Sequence, residues 1–123
     1  AQAWGGGFLQ NTAGVDASGF TSFKFAFNTG TLTSPGYIQF KLEDTAATPG
    51  VYTTNILALT GTAVTGSTGW TEYTVALSDA SAVDFSKFKA VGFWHPTTEA
   101  DGLDGSATAI IPGEFYIDNI RFE

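Results

Sequence analysis

The 123-residue sequence contains no cysteine and no methionine, and it has one histidine. The absence of cysteine excludes disulfide bonds, thiol catalysis, cysteine-based zinc sites and iron–sulfur clusters. A chain of this length fits one domain and buries roughly two-thirds of its unfolded surface, enough for a core without such crosslinks. Residues 1–123 are therefore expected to form a single domain.

Basic residues are also scarce, because five lysines and arginines face twelve acidic residues and the net charge is −7. Five basic residues are too few to bind along a phosphate backbone or to attach the protein to an anionic lipid surface. We therefore expect neither nucleic acid nor a membrane as partner. The sequence has no apolar run of about 18 residues that would span a bilayer. The basic residues are Lys24, Lys41, Lys87, Lys89 and Arg121.

Charged residues make up 14 % of the chain, whereas about a quarter is usual. Threonine, serine, glycine and alanine take their place, a composition common in extracellular β-proteins. We therefore expect a secreted, extracellular protein. The sequence begins without a basic and apolar leader, so a secreted protein would be present here in processed or excised form.

Hydrophobic residues alternate with polar ones in short segments separated by turn residues, and no segment has a helical pattern. In one segment Phe23, Phe25 and Phe27 share a face that excludes Lys24. One buried and one wet face per strand predict an all-β fold, an antiparallel β-sandwich of the jelly-roll type. The seven candidate strands are Gln2–Gln10, Phe20–Asn28, Gly36–Glu43, Thr53–Leu59, Trp70–Leu77, Lys87–His95 and Glu114–Phe122.

Four segments in order resemble a known family: VDASGFTSFKF at residues 15–25, GWTEYTV at 69–75, FKAVGFW at 88–94 and GEFYIDNIRF at 113–122. They are similar to galactose-binding-like jelly-roll carbohydrate-binding modules, which are attached to laminarinases, cellulases, agarases and other polysaccharide-degrading enzymes. The resemblance implies a non-catalytic domain that binds a β-glucan-like or a marine or plant cell-wall polysaccharide. It also implies an appended catalytic domain.

The beginning of the chain departs from that family, whose members usually have a further strand before the aromatic and glycine-rich one. A jelly roll has about eight strands, and seven are predicted. The domain is therefore expected to lack an N-terminal strand. Either this strand was trimmed from the chain, or its absence leaves the sandwich with an open sheet edge. An open edge accepts a strand from a neighbouring molecule. The alternative function is therefore a self-associating structural subunit of an extracellular fibre or surface assembly.

Sugar recognition requires aromatic faces for pyranose rings and polar groups for hydroxyls. If the first, third and sixth candidate strands share a sheet, their wet faces form one concave binding surface. The tryptophans have core packing as their alternative role, since tryptophan is highly buried on average. Gln39 and Lys41 have the alternative of an ordinary solvated face. The candidate carbohydrate-binding residues are Trp4, Tyr37, Gln39, Lys41, Trp94 and His95.

Two acidic features are candidates for calcium, which prefers oxygen ligands. Asp118 interrupts an apolar strand, and the resemblance implies that an aspartate at this place helps to hold a structural Ca²⁺. Its alternative is a hydrogen bond to nearby backbone amides. The acidic segment Glu99–Gly105 also offers three carboxylates, but it lacks the EF-hand spacing and is better explained as a solvated loop.

Catalysis has little support in the sequence, so we expect no enzyme. A serine–histidine–acid triad would need His95, and no Gly-x-Ser-x-Gly motif is present. Glycoside hydrolysis needs two carboxylates about 5–9 Å apart in a cleft. Glu43, Glu72 and Glu114 are the candidates, but a domain this small has little material for a cleft besides its core.

Overall fold

The computed structural model describes residues 6–97 and 111–123. These residues form eight β-strands and two short 3₁₀ turns, at Ile56–Ala58 and Phe85–Lys87. Among the described residues no helix is long and apolar enough to cross a membrane. The strands are β1 (Gly6–Val15), β2 (Ser22–Asn28), β3 (Tyr37–Asp44), β4 (Val51–Asn55), β5 (Thr60–Ala63), β6 (Trp70–Ala76), β7 (Phe88–Thr97) and β8 (Tyr116–Phe122).

The strands form two four-stranded antiparallel sheets. Sheet A has the order β1-β7-β3-β4, and sheet B has the order β5-β6-β2-β8. Each strand of an antiparallel sandwich directs alternate side chains towards the opposite sheet and towards solvent. The predicted all-β antiparallel sandwich is therefore confirmed.

Phenylalanine rings fill the space between the two sheets. Phe23, Phe25 and Phe27 of β2 are buried, as their alternation with polar residues predicts. The ring of Phe25 stacks on Phe40 of β3, with 5.1 Å between centroids, and it meets Phe93 of β7 edge-on at the same distance. Because aromatic pairs add stabilisation beyond their buried area, these contacts between the sheets hold the sandwich together.

The prediction of one strand over Thr53–Leu59 is wrong, since β4 ends at Asn55, a 3₁₀ turn follows at Ile56–Ala58 and β5 begins only at Thr60. Asn55 begins that turn, and its side-chain oxygen accepts a hydrogen bond from the Leu57 amide at 3.1 Å. Ile56 is fully buried in the turn. The chain therefore crosses from sheet A to sheet B at this point, which closes one side of the sandwich.

The first predicted strand, Gln2–Gln10, differs from the observed β1 in its bounds. Residues 2–5 lie outside the described residues, and β1 continues to Val15. The part of β1 beyond the predicted strand follows an irregularity, since the register against β7 shifts between Gln10 and Val15. β1 is the edge strand of sheet A, and β8 is the edge strand of sheet B.

Candidate binding site on the outer face of sheet A

The three strands that carry the predicted binding residues lie next to one another. β1, β7 and β3 are consecutive in sheet A, so the condition for a shared surface is met. Trp94 of β7 is paired in register with Gln39 of β3 on one side and with Gly6 of β1 on the other. Phe93 points into the core, so Trp94 points to the opposite, outer face of sheet A.

A glycine creates the space for the Trp94 ring. The six-membered ring of the indole lies directly over Gly92, where a Cβ atom would meet Cζ3 at 2.1 Å and Cη2 at 2.3 Å. Any larger residue at this position would displace the ring. Trp94 is half-buried as a result, because one part of the ring rests on the sheet and the remainder is exposed.

Two side chains from neighbouring strands flank the indole. The ring of Phe8 on β1 is perpendicular to it, with 6.3 Å between centroids, and Phe8 is 58 % exposed. The Lys41 ammonium of β3 lies 6.0 Å from the indole centroid, within range of a cation–π interaction. Phe8, Lys41, Gly92 and Trp94 together are called the Trp94 platform below.

A groove of about 230 Å³ adjoins the Trp94 platform. It contains two lysines that share one carboxylate. Glu43 accepts from Lys41 Nζ at 2.5 Å through one oxygen and from Lys89 Nζ at 2.9 Å through the other. This space is called the outer groove, and its lining consists of Phe8, Gln10, Lys41, Glu43, Lys89, Ala90, Gly92 and Trp94.

The two ammonium groups keep Glu43 ionised. Hydrogen bonds from Lys41 and then Lys89 lower the pKa of the Glu43 carboxyl and outweigh the opposing effect of its burial. At neutral pH the outer groove therefore holds two positive charges and one negative charge. Charged donors and an acceptor next to an aromatic ring are suited to a polyhydroxylated ligand.

Two predicted binding residues of β3 are not exposed. Tyr37 is 4 % exposed and Gln39 is 6 % exposed, so their predicted exposure to solvent is wrong, although Gln39 pairs directly with Trp94 and therefore lies on the same, outer face of sheet A. The register of β3 against β7 shifts between these two residues, because two steps along β3, from Tyr37 to Gln39, correspond to three steps along β7, from Thr97 to Trp94. Among the described residues the Tyr37 hydroxyl has no hydrogen-bond partner, and burial raises its pKa.

The remaining predicted residues do not contribute described side chains to the outer groove. Trp4 lies outside the described residues, and so does the acidic segment Glu99–Gly105. The backbone of His95 belongs to β7, but its side chain is outside the described part of the structure.

Asp118 is exposed on β8 of sheet B, and its carboxylate accepts a hydrogen bond from the Asn119 amide at 2.7 Å. This bond to backbone is the alternative that the sequence had left open. Within residues 6–97 and 111–123 no three aspartate, glutamate or histidine side chains group together as metal ligands. Calcium binding at Asp118 therefore stays a prediction.

The sequence prediction missed Lys89, Glu43, Phe8 and Gln10 as parts of the site. Strict alternation along β7 would direct Lys89 inward with Val91. A register shift instead leaves Lys89 and Ala90 together beside Glu43, so Lys89 reaches the outer face. The sequence contained one signal for this irregularity. Strict alternation would bury the charged Lys89 without a partner in a phenylalanine core, which is energetically costly.

The glutamates considered for catalysis are separated by the sandwich. Glu43 lies on the outer face of sheet A, whereas Glu72 belongs to β6 of sheet B and binds Arg121 Nη2 at 3.0 Å. Glu114 accepts a hydrogen bond from the Tyr116 hydroxyl at 3.0 Å. Glu43 and Glu72 therefore cannot act together on one glycosidic bond.

A second surface lies where the two edge strands face each other. An apolar cavity of about 340 Å³ between β1 and β8 is lined by Leu9, Phe93, Ile117 and Ile120 among others. Leu9 is 61 % exposed although its partner in the register is the buried Val91. A further cavity of about 260 Å³ shares Leu9 and Ile120 with the first. These two neighbouring cavities together are called the open side of the sandwich.

The chain matches no family model, and no curated protein or solved structure matches it.

Proposed function

We propose that this domain is a non-catalytic carbohydrate-binding module that binds a polysaccharide at the Trp94 platform. The exposed part of the Trp94 indole, flanked by Phe8 and next to the polar outer groove, is the observation that supports the proposal. Pyranose rings stack their apolar C–H faces on aromatic rings, and lysine and carboxylate groups orient their hydroxyls. The outer groove provides both kinds of contact on one face.

The position of Trp94 favours recognition over a structural role. The core between the sheets is filled by buried phenylalanines, and Trp94 lies on the other side of sheet A. Exposing an indole to water has a cost that a structural residue would avoid by burial. A ligand that covers the ring would remove the indole from water and so offset this cost.

The proposed module is of the galactose-binding-like jelly-roll type, secreted and joined to a polysaccharide-degrading enzyme. Its ligand class is a β-glucan-like or a marine or plant cell-wall glycan. Such a domain would hold the enzyme at the polymer and raise its effective concentration there. The separation of Glu43 from Glu72 supports a role in binding rather than in hydrolysis.

Affinity gel electrophoresis tests the proposal with laminarin, mixed-linked glucan, xylan, mannan, alginate and agar in the gel. We expect at least one polymer to retard the protein. Trp94→Ala should abolish the retardation and leave the circular dichroism spectrum and the unfolding midpoint close to those of the wild type. Trp70→Ala is the matched control, because Trp70 begins β6 on sheet B, and it should retain binding.

A folded protein that none of the six polymers retards would refute the proposal. Loss of the fold in Trp94→Ala would assign Trp94 to structure instead. In that case Gly92→Ala, which moves the ring without removing it, separates the two roles.

The open side favours a second candidate function, a structural subunit of an extracellular assembly. Core residues such as Phe93 and Ile120 line it, and β1 and β8 are each unpaired on one edge in the described structure. Free strand edges next to an apolar cavity are suited to accepting a strand of a second copy of this chain. The exposed Leu9 would be covered in such a pair.

Size-exclusion chromatography with light scattering at rising protein concentration tests this candidate. Oligomers that dissociate in Leu9→Lys but persist in Val51→Lys would support it, because Val51 is an exposed apolar residue on β4 at the closed side. A monomer at every concentration would argue against it.

A further inference from the structure

We propose, on the basis of the carbohydrate-binding function proposed above, that the outer groove selects polysaccharides carrying anionic groups. Lys41 and Lys89 would bind a carboxylate or sulfate on a sugar that stacks on Trp94. The sequence contains few cations, and the structure places two of them beside the one aromatic platform described on sheet A.

The balance of charges in the ion-paired groups singles out the outer groove. Within the described residues, Lys24 and Arg121 are balanced by Glu72 and Glu123. Lys87 pairs with Asp84 alone. The third group, in the outer groove, has two lysines and a single glutamate. It is therefore the ion-paired group in which positive charge exceeds negative charge.

The geometry leaves both lysines able to bind a further anion. An ammonium group has three N–H donors, and Glu43 is the ion-pair partner of each lysine in the described structure. Both side chains are partly exposed, at 27 % for Lys41 and 28 % for Lys89. The remaining donors can therefore bind an acidic group that enters from solvent.

The lysines lie at a suitable distance from the aromatic ring. Lys41 Nζ is 6.0 Å from the indole centroid, so the substituents of a pyranose stacked on Trp94 would come within reach of it. Lys89 is joined to Lys41 through Glu43, which extends the positive charge along the outer groove. A polymer with repeated acidic groups could thus stack one sugar and bind a charge on it or on the next sugar.

The overall charge of −7 repels an approaching polyanion. This repulsion acts over long distances, at which salt screens it. The Debye length is about 8 Å at physiological ionic strength. Contacts in the outer groove are shorter than this length, so the local excess of positive charge governs the bound state. Binding of an anionic polymer should accordingly weaken with salt.

Matched polymers that differ in charge alone provide the test. Pectate is compared with highly methyl-esterified pectin, and alginate with its propylene glycol ester, which neutralise carboxylates on an unchanged backbone. Carrageenan and chemically desulfated carrageenan form the corresponding pair for sulfate, and laminarin is a neutral reference. Dissociation constants are measured by isothermal titration calorimetry at about 150 mM and about 600 mM NaCl, so that the Debye length is about 8 Å or less at both concentrations and roughly halves between them.

We expect the charged member of at least one pair to bind about fivefold more tightly than its neutral member at low salt, and high salt to reduce this preference. Lys89→Gln should remove most of the preference. Glu43→Gln, which removes the opposing carboxylate, should increase it. Lys24→Gln is the matched control, since it removes the same charge from β2 on sheet B, and it should leave the preference unchanged.

The outcomes separate the two proposals. Equal binding of both members in every pair would overturn the selection of anions and leave the carbohydrate-binding function in place. A preference that Lys24→Gln weakens as much as Lys89→Gln would also overturn it, because net charge would then be the cause. No binding to any polymer, laminarin included, would overturn the carbohydrate-binding function itself.

Discussion

Asp44 joins the connection between β3 and β4 to the segment that precedes β7. The residue is 2 % exposed, and its carboxylate accepts three backbone hydrogen bonds. One oxygen receives the amides of Ala46 and Gly50 at 2.9 and 3.0 Å, and the other receives the Asp84 amide at 2.8 Å. Removing this carboxylate should therefore destabilise two loops at once.

The magnitude follows from the groups that would lose their partner. A buried donor left without a hydrogen bond costs about 1–3 kcal/mol, and three donors depend on Asp44. Because water can reach loop amides after some relaxation, we expect Asp44→Ala to lower the free energy of unfolding by about 3–5 kcal/mol. For a domain of this size the unfolding midpoint would fall by roughly 10–20 °C.

Acid should remove this contribution. The pKa of Asp44 is lowered in the folded protein, chiefly by the hydrogen bond from the Asp84 amide. The bonds from the Ala46 and Gly50 amides lower it further, and burial opposes this effect. The carboxyl of an unfolded chain has a pKa of about 3.9. A group whose pKa is lower when folded stabilises the protein above the unfolded value and loses this effect as pH falls through the folded value.

Urea unfolding of the wild type and Asp44→Ala between pH 7 and pH 2.5 measures both effects. The difference in free energy should be constant above about pH 5 and shrink below about pH 4. Asp16→Ala is the control, because Asp16 accepts comparable bonds from Ser18 on an exposed loop, and its effect should be much smaller. A difference below about 1 kcal/mol at pH 7, or one that is as large at about pH 2.5 as at pH 7, would refute the reasoning.

Two further predictions concern Gly92 and Asp118. Gly92→Ala should displace the Trp94 indole, whose Cζ3 would lie 2.1 Å from the new Cβ, and weaken polysaccharide binding at least tenfold in calorimetry. The displaced atoms belong to a side chain at the surface, so the unfolding midpoint should change little; unchanged binding would show that the ring position is unimportant. Asp118→Ala should abolish any calcium-induced rise of the unfolding midpoint, because the prediction makes Asp118 a calcium ligand. A rise that persists in this variant would leave the Asn119 amide as the described partner of Asp118.

The regular strands were predictable from residues that alternate without interruption. Phe23, Phe25 and Phe27 lie on the buried face of β2 because every second side chain of a strand shares a face. The same rule placed Trp94 opposite Phe93 on the outer face of sheet A. Local pattern sufficed at these positions because the backbone follows the ideal period of two.

The errors fall where that period is broken. The register shift beside Glu43 brings Lys89 to the outer face, and the shift near Tyr37 accompanies its burial. Asn55 turns a predicted strand into a crossing between sheets. Such irregularities depend on pairing with other strands, which a single strand does not specify.

The sequence by itself determined the composition that excludes cysteine chemistry, the alternation that makes a β-sandwich, and the phenylalanines that form its core. Only the tertiary structure decided which side chains meet across strands. Lys41, Glu43 and Lys89 form one charged group, and Phe8 joins Trp94, because β1, β7 and β3 lie side by side in sheet A. The physical reason is that contacts between strands depend on strand order and register, which are set by the packing of the whole domain.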